Sequence, residues 1–225
     1  MSMINRVKDK LKNRSTYEHF FKTLKYSLYV ISHPLDGFWD LTHERRGSMP
    51  AAHFIVLLTM LTRVWAMQYT NFQFNLVYWE TVNIFMEFAV VLLPLAIWCV
   101  GNWGLTTLFD GKGTMKKIYM GTAYALTPYP LIQIPLIFLS NVITSDEAAF
   151  YLVFSYISLI WAGLLIISAM MQIHEYSLGK TLACIVASIA AMLVIIFILM
   201  LFFSLVSDGI AYFISLYDEF VFRLY

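Results

Sequence analysis

The sequence predicts an all-α integral membrane protein, a five-helix transmembrane bundle with amphipathic interfacial helices at both termini. Of the 225 residues, 60% are hydrophobic and 13% are charged, whereas a soluble domain is nearer half apolar and a quarter charged. Five apolar stretches are each close to the ~20 residues that a helix needs to cross a bilayer. The basic residues also lie almost entirely on one side of these stretches. Together these observations indicate that lipid surrounds much of the protein.

Residues 1–49 are predicted to form a cytoplasmic amphipathic helix and a connector. Ser15 and Glu18 have the spacing of a capping box, which predicts that a helix begins there. Apolar residues then recur at helical spacing as far as Ile31, and Pro34 ends the helix. Two arrangements are open: the helix lies on an anionic leaflet, or it packs on this protein's own cytoplasmic loops.

The connector carries acidic residues and a histidine whose grouping imitates a metal site. We interpret them instead as surface charges that pair with Arg45 and Arg46, and we predict no metal site. The residues concerned are Asp36, Asp40, His43 and Glu44.

The transmembrane domain is predicted to cover residues 50–206. Its spans are expected at about 50–69, 82–108, 118–139, 150–171 and 181–206. Gly101 and Gly104 either end the second span or lie inside it. The third span contains three prolines, so we expect it to be kinked.

Residues 207–225 form a second predicted amphipathic segment. Apolar residues recur at helical period from Ile210 to Leu224, while Asp218 and Glu219 fall on the other side. At about 18 residues this segment could almost span, but its charges favour an interfacial helix on the outer face.

The distribution of Lys and Arg predicts the orientation. Nine basic residues precede the first span, three lie between spans two and three, and one lies between spans four and five. The two alternate loops contain none. By the positive-inside rule, the N-terminus is expected in the cytoplasm and the C-terminus outside.

Arg63 and Glu87 are the only ionisable residues deep within the apolar spans. Arg63 lies about six residues before the outer end of span one, and Glu87 lies at a matching depth in span two. We therefore predict an intramembrane ion pair. Three interpretations are open: the pair locks two helices, it belongs to a proton or ion path, or the two side chains snorkel without pairing.

No motif predicts catalysis or a cofactor. The turn from Asp110 to Gly113 is rich in glycine, but neither it nor the segment from Ser177 to Thr181 has the spacing of a phosphate-binding loop. Cys99 and Cys184 are interpreted as packing residues. The net charge of +1 gives no reason to expect a nucleic-acid partner. We predict no catalytic residue and no cofactor.

The segment between spans two and three resembles that of bacterial members of the Yip domain (Ypt/Rab-interacting protein) family. The resemblance covers most of residues 27–206. Its main residues are Asn102-Trp103, Thr106-Thr107-Leu108, Asp110-Gly111-Lys112-Gly113, Tyr124-Ala125-Leu126 and Pro128. Further similar residues are His33-Pro34, Phe38-Trp39-Asp40, Tyr176-Ser177 and Gly179-Lys180.

The resemblance implies a membrane protein that acts by association and not by catalysis. Partners would be membrane lipids, a second copy, or other membrane proteins such as a transporter of the ATP-binding-cassette type in a plasma membrane. Eukaryotic relatives bind Rab GTPases through an acidic N-terminal segment, whereas this segment is basic. We expect the partner-docking loop to include Asn102, Trp103, Asp110, Lys112, Lys116 and Lys117.

Two alternative functions belong to different classes. The protein is a small transporter or channel that uses Arg63, Glu87 and the proline-broken spans, or it shapes membranes with its amphipathic helices. Flux through reconstituted protein would indicate the first alternative, and tubulation of liposomes the second.

Overall fold

The structure is a computed structural model that describes residues 3–44, 46–75 and 82–224, excepting the side chains of residues 3–16, 145 and 224. Within these ranges the regular elements are helices: α1 (Met3–Ser32), α2 (Pro34–His43), α3 (Met49–Tyr69), α4 (Ile84–Leu108), α5 (Met115–Ala125), α6 (Pro128–Leu139), α7 (Ala148–His174) and α8 (Leu178–Leu224). A single 3-10 turn, Ser145–Glu147, precedes α7.

Five segments of the described chain are long and apolar enough to cross a membrane: α3, α4, α5 with α6, α7 and α8. The prediction of an all-α, multi-pass membrane bundle is therefore confirmed. Polar side chains cap the starts of α3, α4 and α5. Ser48 Oγ accepts from the N–H of Ala51 before α3, and Asn83 Oδ1 accepts from Phe85 N–H before α4. Because α4 continues to Leu108, both glycines of the second span lie inside the helix.

The third span is broken where its prolines begin. Pro128 has no N–H to donate to the carbonyl of Tyr124. Thr127 satisfies that carbonyl twice instead, through its N–H at 3.2 Å and its Oγ1 at 2.7 Å. The chain then continues as α6, so α5 and α6 together form one interrupted span of 25 residues. The freed backbone group is thus satisfied within the protein, as the bilayer requires.

Helix α8 is longer than the predicted fifth span. It continues for 47 residues without a break, so residues 207–224 extend the span and no separate helix begins after Val206. At 1.5 Å per residue it is about 70 Å long, against about 30 Å for the hydrocarbon core. From Ile196 to Arg223 nearly every side chain is exposed within the protein. The interfacial position of the tail stays a prediction.

Helix α1 begins earlier than predicted. It starts at Met3, so the backbone is already helical at Ser15 and no helix begins at the expected capping box. In its second half, Thr23, Ser27 and Val30 are buried against the protein, whereas Phe21 remains 64% exposed. For this half, the arrangement in which the helix packs on its own protein is the one observed.

The core lies towards the end of the bundle that carries α2. Helix α2 packs against α7, and α5 packs between α3 and α7. The largest fully buried side chains there come from all of these helices: Phe38, Leu41, Ile55, Ile118, Tyr124, Leu165 and Met170. The chain segments 109–114 and 175–177 lie at this same end, which we call the α2 end. The functional candidates below are placed relative to it.

Candidate functional site: a histidine junction at the α2 end and an ion pair between the spans

The chain between α4 and α5 folds back on the end of α4. Thr106 Oγ1 donates to the carbonyl of Asn102 at 2.7 Å, and the N–H of Gly111 donates to the carbonyl of Thr106 at 2.8 Å. Asp110 lies between them in the left-handed region, with φ of 58°. Thr114 Oγ1 then accepts from the N–H of Lys117 and begins α5. The loop therefore has a defined path across the α2 end.

His174, the last residue of α7, joins this loop to two spans. Its Nδ1 accepts from the N–H of Gly113 at 3.3 Å, and its Nε2 lies 3.0 Å from Asn102 Oδ1. The amide of Asn102 in turn donates to Ser188 Oγ on α8 at 3.1 Å. We call these four residues the histidine junction. His174, Asn102 and Ser188 are each 2% exposed or less.

The hydrogen bonds assign the tautomer of His174. A backbone N–H can only donate, so Nδ1 must be the unprotonated nitrogen of the ring. The proton therefore lies on Nε2 and is donated to the amide oxygen of Asn102, which fixes the orientation of that amide. Both ring nitrogens are occupied, and Ser188 contacts the amide and not the imidazole. The junction is thus arranged to hold α4, α7 and α8 together and not as a nucleophile with its base.

Two glycines let the loop approach His174 closely. A Cβ at Gly113 would lie 2.5 Å from His174 Cε1, and a Cβ at Gly111 would lie 2.7 Å from His174 Nδ1. Neither glycine has positive φ. The requirement for glycine is therefore one of space and not of backbone conformation.

Tyr176 and Lys180 close the junction from the side of α8. Both donate to the carbonyl of Phe109, the tyrosine hydroxyl at 2.7 Å and the lysine Nζ at 3.1 Å. The ring of Tyr176 stacks on that of His174. Lys180 Nζ lies over the Tyr176 ring, 4.0 Å from the ring centre. Burial raises the pKa of the Tyr176 hydroxyl above its ordinary value. The hydroxyl therefore remains a donor at neutral pH.

Charged residues form the rim of the α2 end. Lys112 Nζ is bonded to Glu175, and His43 Nε2 lies 3.5 Å from the same carboxylate. The hydrogen bond from Lys112 holds the pKa of Glu175 below its usual value. Arg46 pairs with Asp40 at 3.2 Å and also contacts Glu44.

Asp40 and Glu44 therefore pair with Arg46 as predicted, whereas His43 lies beside Glu175. Arg45 lies outside the described residues. Among the residues described, no group of three or more His, Cys, Asp or Glu is placed to hold a metal ion.

The predicted docking residues separate into exposed and buried ones. Asp110 and Lys116 are exposed, Lys112 has 67% of its side chain exposed, and Trp103 is 44% exposed. Lys117 is half-buried. Asn102 is 1% exposed, so its expected role as a docking residue is wrong, because its amide is used inside the protein by His174 and Ser188. Cys99 and Cys184 are buried free thiols.

Arg63 and Glu87 meet between α3 and α4. Arg63 Nε donates to Glu87 Oε2 at 2.7 Å, with 35% and 16% of the two side chains exposed. Glu87 lies in the first turn of α4, where the helix dipole favours a negative charge. The contact uses a single nitrogen of the guanidinium, which leaves its outer Nη groups for other partners.

Sequence reasoning missed His174 and Ser188. The available signal was polarity: His174 and Asn102 stand near the ends of apolar spans that finish on the same side of the membrane. Such positions are costly unless their polar groups are bonded to one another. The spacing along the chain does not reveal the partners, because they lie on three different helices.

A family model of the Yip1 domain matches residues 28–202. No match was found among curated proteins, and none among solved structures. The Yip1 family is not a family of enzymes. The matched region contains α2 to α7, about half of α8, the histidine junction and the Arg63–Glu87 contact, and the chain belongs to the Yip1 domain family.

Proposed function

We propose that this protein is a membrane scaffold or accessory subunit that acts by binding other membrane proteins. One observation carries the proposal: a group of exposed residues lies at the α2 end, on the loop that the histidine junction holds in place and on the ends of the two helices that it connects. This docking surface consists of Trp103, Asp110, Lys112 and Lys116. An exposed tryptophan on a rigid element suits a protein interface, because aromatic residues are enriched there and little conformational freedom is lost on binding. Lysines at its rim favour a partner with an acidic surface.

The proposed location is the plasma membrane of a bacterial cell, with the N-terminus and the α2 end in the cytoplasm. The basic residues of the N-terminal region and of the loop after α4 support this orientation through the positive-inside rule. Five spans would then bring the end of α8 to the outside. A reporter fused after residue 225 tests this orientation, and a cytoplasmic signal would contradict it.

A membrane-embedded transport system, such as a transporter of the ATP-binding-cassette type, is the partner class we propose first, with self-association as the alternative. Photoreactive residues placed at Trp103 and at Lys116 in the full chain test for it. The matched control is the same residue at Val142, which is 79% exposed at the opposite end of the bundle.

We expect one and the same membrane protein to be crosslinked from both docking positions and not from Val142. Lys116→Glu should weaken that crosslink, since it reverses a charge at the surface without touching the junction. Equal crosslinking from Val142, or recovery of no protein from either docking position, would contradict the proposal.

A small transporter or channel is the second candidate, because Arg63, which pairs with Glu87, lines a cavity between the spans. The wall of that cavity is almost wholly apolar, which disfavours a water-filled ion path. Reconstituted protein carrying Arg63→Leu with Glu87→Leu tests this candidate. If the protein is a transporter or channel, the wild-type protein should support a flux, and the double substitution should abolish that flux.

A further inference from the structure

An open cavity of about 540 Å3 lies between the spans. Residues from α3, α4, α7, α8 and the broken third span line it, and they include Trp98 on α4 and Gly163 on α7. Its size and its apolar lining fall within the range of natural ligand sites, which are mainly hydrophobic with a few placed polar groups. The cavity therefore has the general character of a binding site for an apolar molecule.

The polar groups in the wall include hydrogen-bond donors without partners. Arg63 lines the cavity and gives only its Nε to Glu87. Among the described residues, neither its two Nη groups nor the hydroxyl of Tyr129, also in the wall, has a hydrogen-bond partner. Arg63 lies six residues inside the end of α3, about 9 Å along the helix. At that depth unsatisfied donors are costly, so an acceptor is expected in the cavity.

The charge balance decides which kind of acceptor fits. Arg63 and Glu87 already neutralise each other, so an anionic group would bring an uncompensated charge into the spans. A carbonyl oxygen accepts hydrogen bonds without adding charge. A phospholipid would also have to draw its charged headgroup well below the membrane surface.

We propose that the cavity binds an uncharged membrane lipid whose carbonyl oxygen accepts from Arg63 and Tyr129 and whose apolar chain lies beside Trp98. The proposal is independent of the docking surface at the α2 end, because none of its residues belongs to that surface. The chemistry requires one neutral carbonyl end and one hydrocarbon chain, as in an acylglycerol.

Fluorescence quenching of Trp98 measures occupancy directly. Trp98 is half-buried and its Nε1 donates to Thr122 Oγ1 at 3.1 Å, so the ring has a defined position in the wall. The other five tryptophans are replaced by Phe, and a second single-tryptophan protein keeps Trp103 alone, which is 44% exposed on the outside of α4. The probe is a monoacylglycerol with a brominated chain, added to the full-length protein in nanodiscs.

We expect the probe fraction that half-quenches Trp98 to be at least about tenfold lower than the fraction that half-quenches Trp103. The quenching of Trp98 should also saturate as more probe is added. Unbrominated monoacylglycerol should reverse the quenching of Trp98 and leave that of Trp103 in place. Tyr129→Phe removes one donor without changing the shape of the wall. This substitution should raise the probe fraction that is needed to quench Trp98 several-fold, which is the loss of affinity typical of one missing hydrogen bond.

A matched pair of glycine substitutions controls for access. A Cβ at Gly163 or at Gly104 meets nothing within 4 Å, but only Gly163 lines the cavity. Gly163→Phe should abolish the preferential quenching of Trp98, and Gly104→Phe should not.

Two results would overturn the proposal. One is that Trp98 and Trp103 are quenched over the same range of probe fraction and that unbrominated monoacylglycerol does not reverse the quenching of Trp98. The other is equal quenching by a brominated phosphatidylcholine, which would identify a phospholipid as the occupant. The competition experiment uses no cavity variant, so it decides the question even if Gly163→Phe fails to fold.

Discussion

Replacing Gly113 by alanine tests whether the histidine junction holds the loop to the spans. The new Cβ would lie 2.5 Å from His174 Cε1 and 2.7 Å from Ile173 Cγ2. Neither neighbour has free space to retreat, because both are buried at the end of α7. The loop must therefore move away, and the hydrogen bond from the N–H of Gly113 to His174 Nδ1 lengthens or breaks.

The expected cost follows from three terms. Overpacking one methyl group into a filled core costs about 1–3 kcal/mol. Losing the hydrogen bond to His174 costs about 1 kcal/mol. Against these, alanine restricts the unfolded chain and stabilises by about 0.4–1 kcal/mol, since Gly113 does not have positive φ. The balance is a destabilisation of about 2 kcal/mol, which corresponds to about 4–8 °C in the melting temperature of a chain of this size.

Gly104→Ala is the control, and its effect should have the opposite sign. Gly104 lies inside α4, and a Cβ there meets nothing within 4 Å. Alanine is favoured over glycine in a helix by about 0.5–1 kcal/mol, so this variant should melt slightly above the wild type. Both variants are compared by thermal unfolding in one detergent. Equal melting temperatures for Gly113→Ala and Gly104→Ala would refute the reasoning about the junction.

Three further outcomes are expected. Arg63→Leu alone should lower the free energy of unfolding by about 3 kcal/mol, because Glu87 is left unpaired, whereas Arg63→Leu with Glu87→Leu should be nearly neutral; similar losses in both would contradict a structural pair. Glu175 has a lowered pKa in the folded state, so its pairing with Lys112 stabilises above about pH 4.5 and is lost as the pH falls through the folded value. Glu175→Gln should therefore melt below the wild type at pH 7, and the difference should shrink towards pH 3. Removing residues 207–225 should leave the melting temperature unchanged, because that part of α8 is exposed; a large loss would show a contact that the monomer lacks.

The spans could be predicted because their lengths and apolar content are set by the bilayer itself. The break in the third span also follows from the sequence, since Pro128 removes a donor wherever it stands in a helix. Counting residues along an antiparallel hairpin places Arg63 and Glu87 at matching depth, and in the structure their side chains are in contact. These features depend on local chemistry or on position along the membrane normal.

The histidine junction could not be predicted, because it depends on how the helices are rotated. Asn102, Gly113, His174 and Ser188 come from separate parts of the chain. All four are polar or small residues in apolar surroundings, and hydropathy gives no rotation for a helix that is apolar on every side. The length of α8 was missed for a related reason. Asp208 and Gly209 resemble the end of a span, but a single glycine costs only about 1 kcal/mol in a helix.

Polar contacts hold α8 to the bundle at the α2 end, and apolar contacts alone hold it further along among the described residues. At the α2 end, Tyr124 accepts from the N–H of Ser48 and joins α5 to the start of α3, while His174 joins α4, α7 and α8. Towards the opposite end, α4 and α8 face each other across an apolar groove lined by residues such as Leu93 and Phe203. Apolar contacts between spans are replaced by lipid at little cost, whereas hydrogen bonds between spans are not. Other helices are joined by polar contacts towards that end as well, α3 to α4 by Arg63 and Glu87 and α6 to α7 by Gln133. The groove between α4 and α8 shares Pro94 and Met192 with the cavity between the spans, so a lipid that entered there would reach the cavity without disturbing the docking surface.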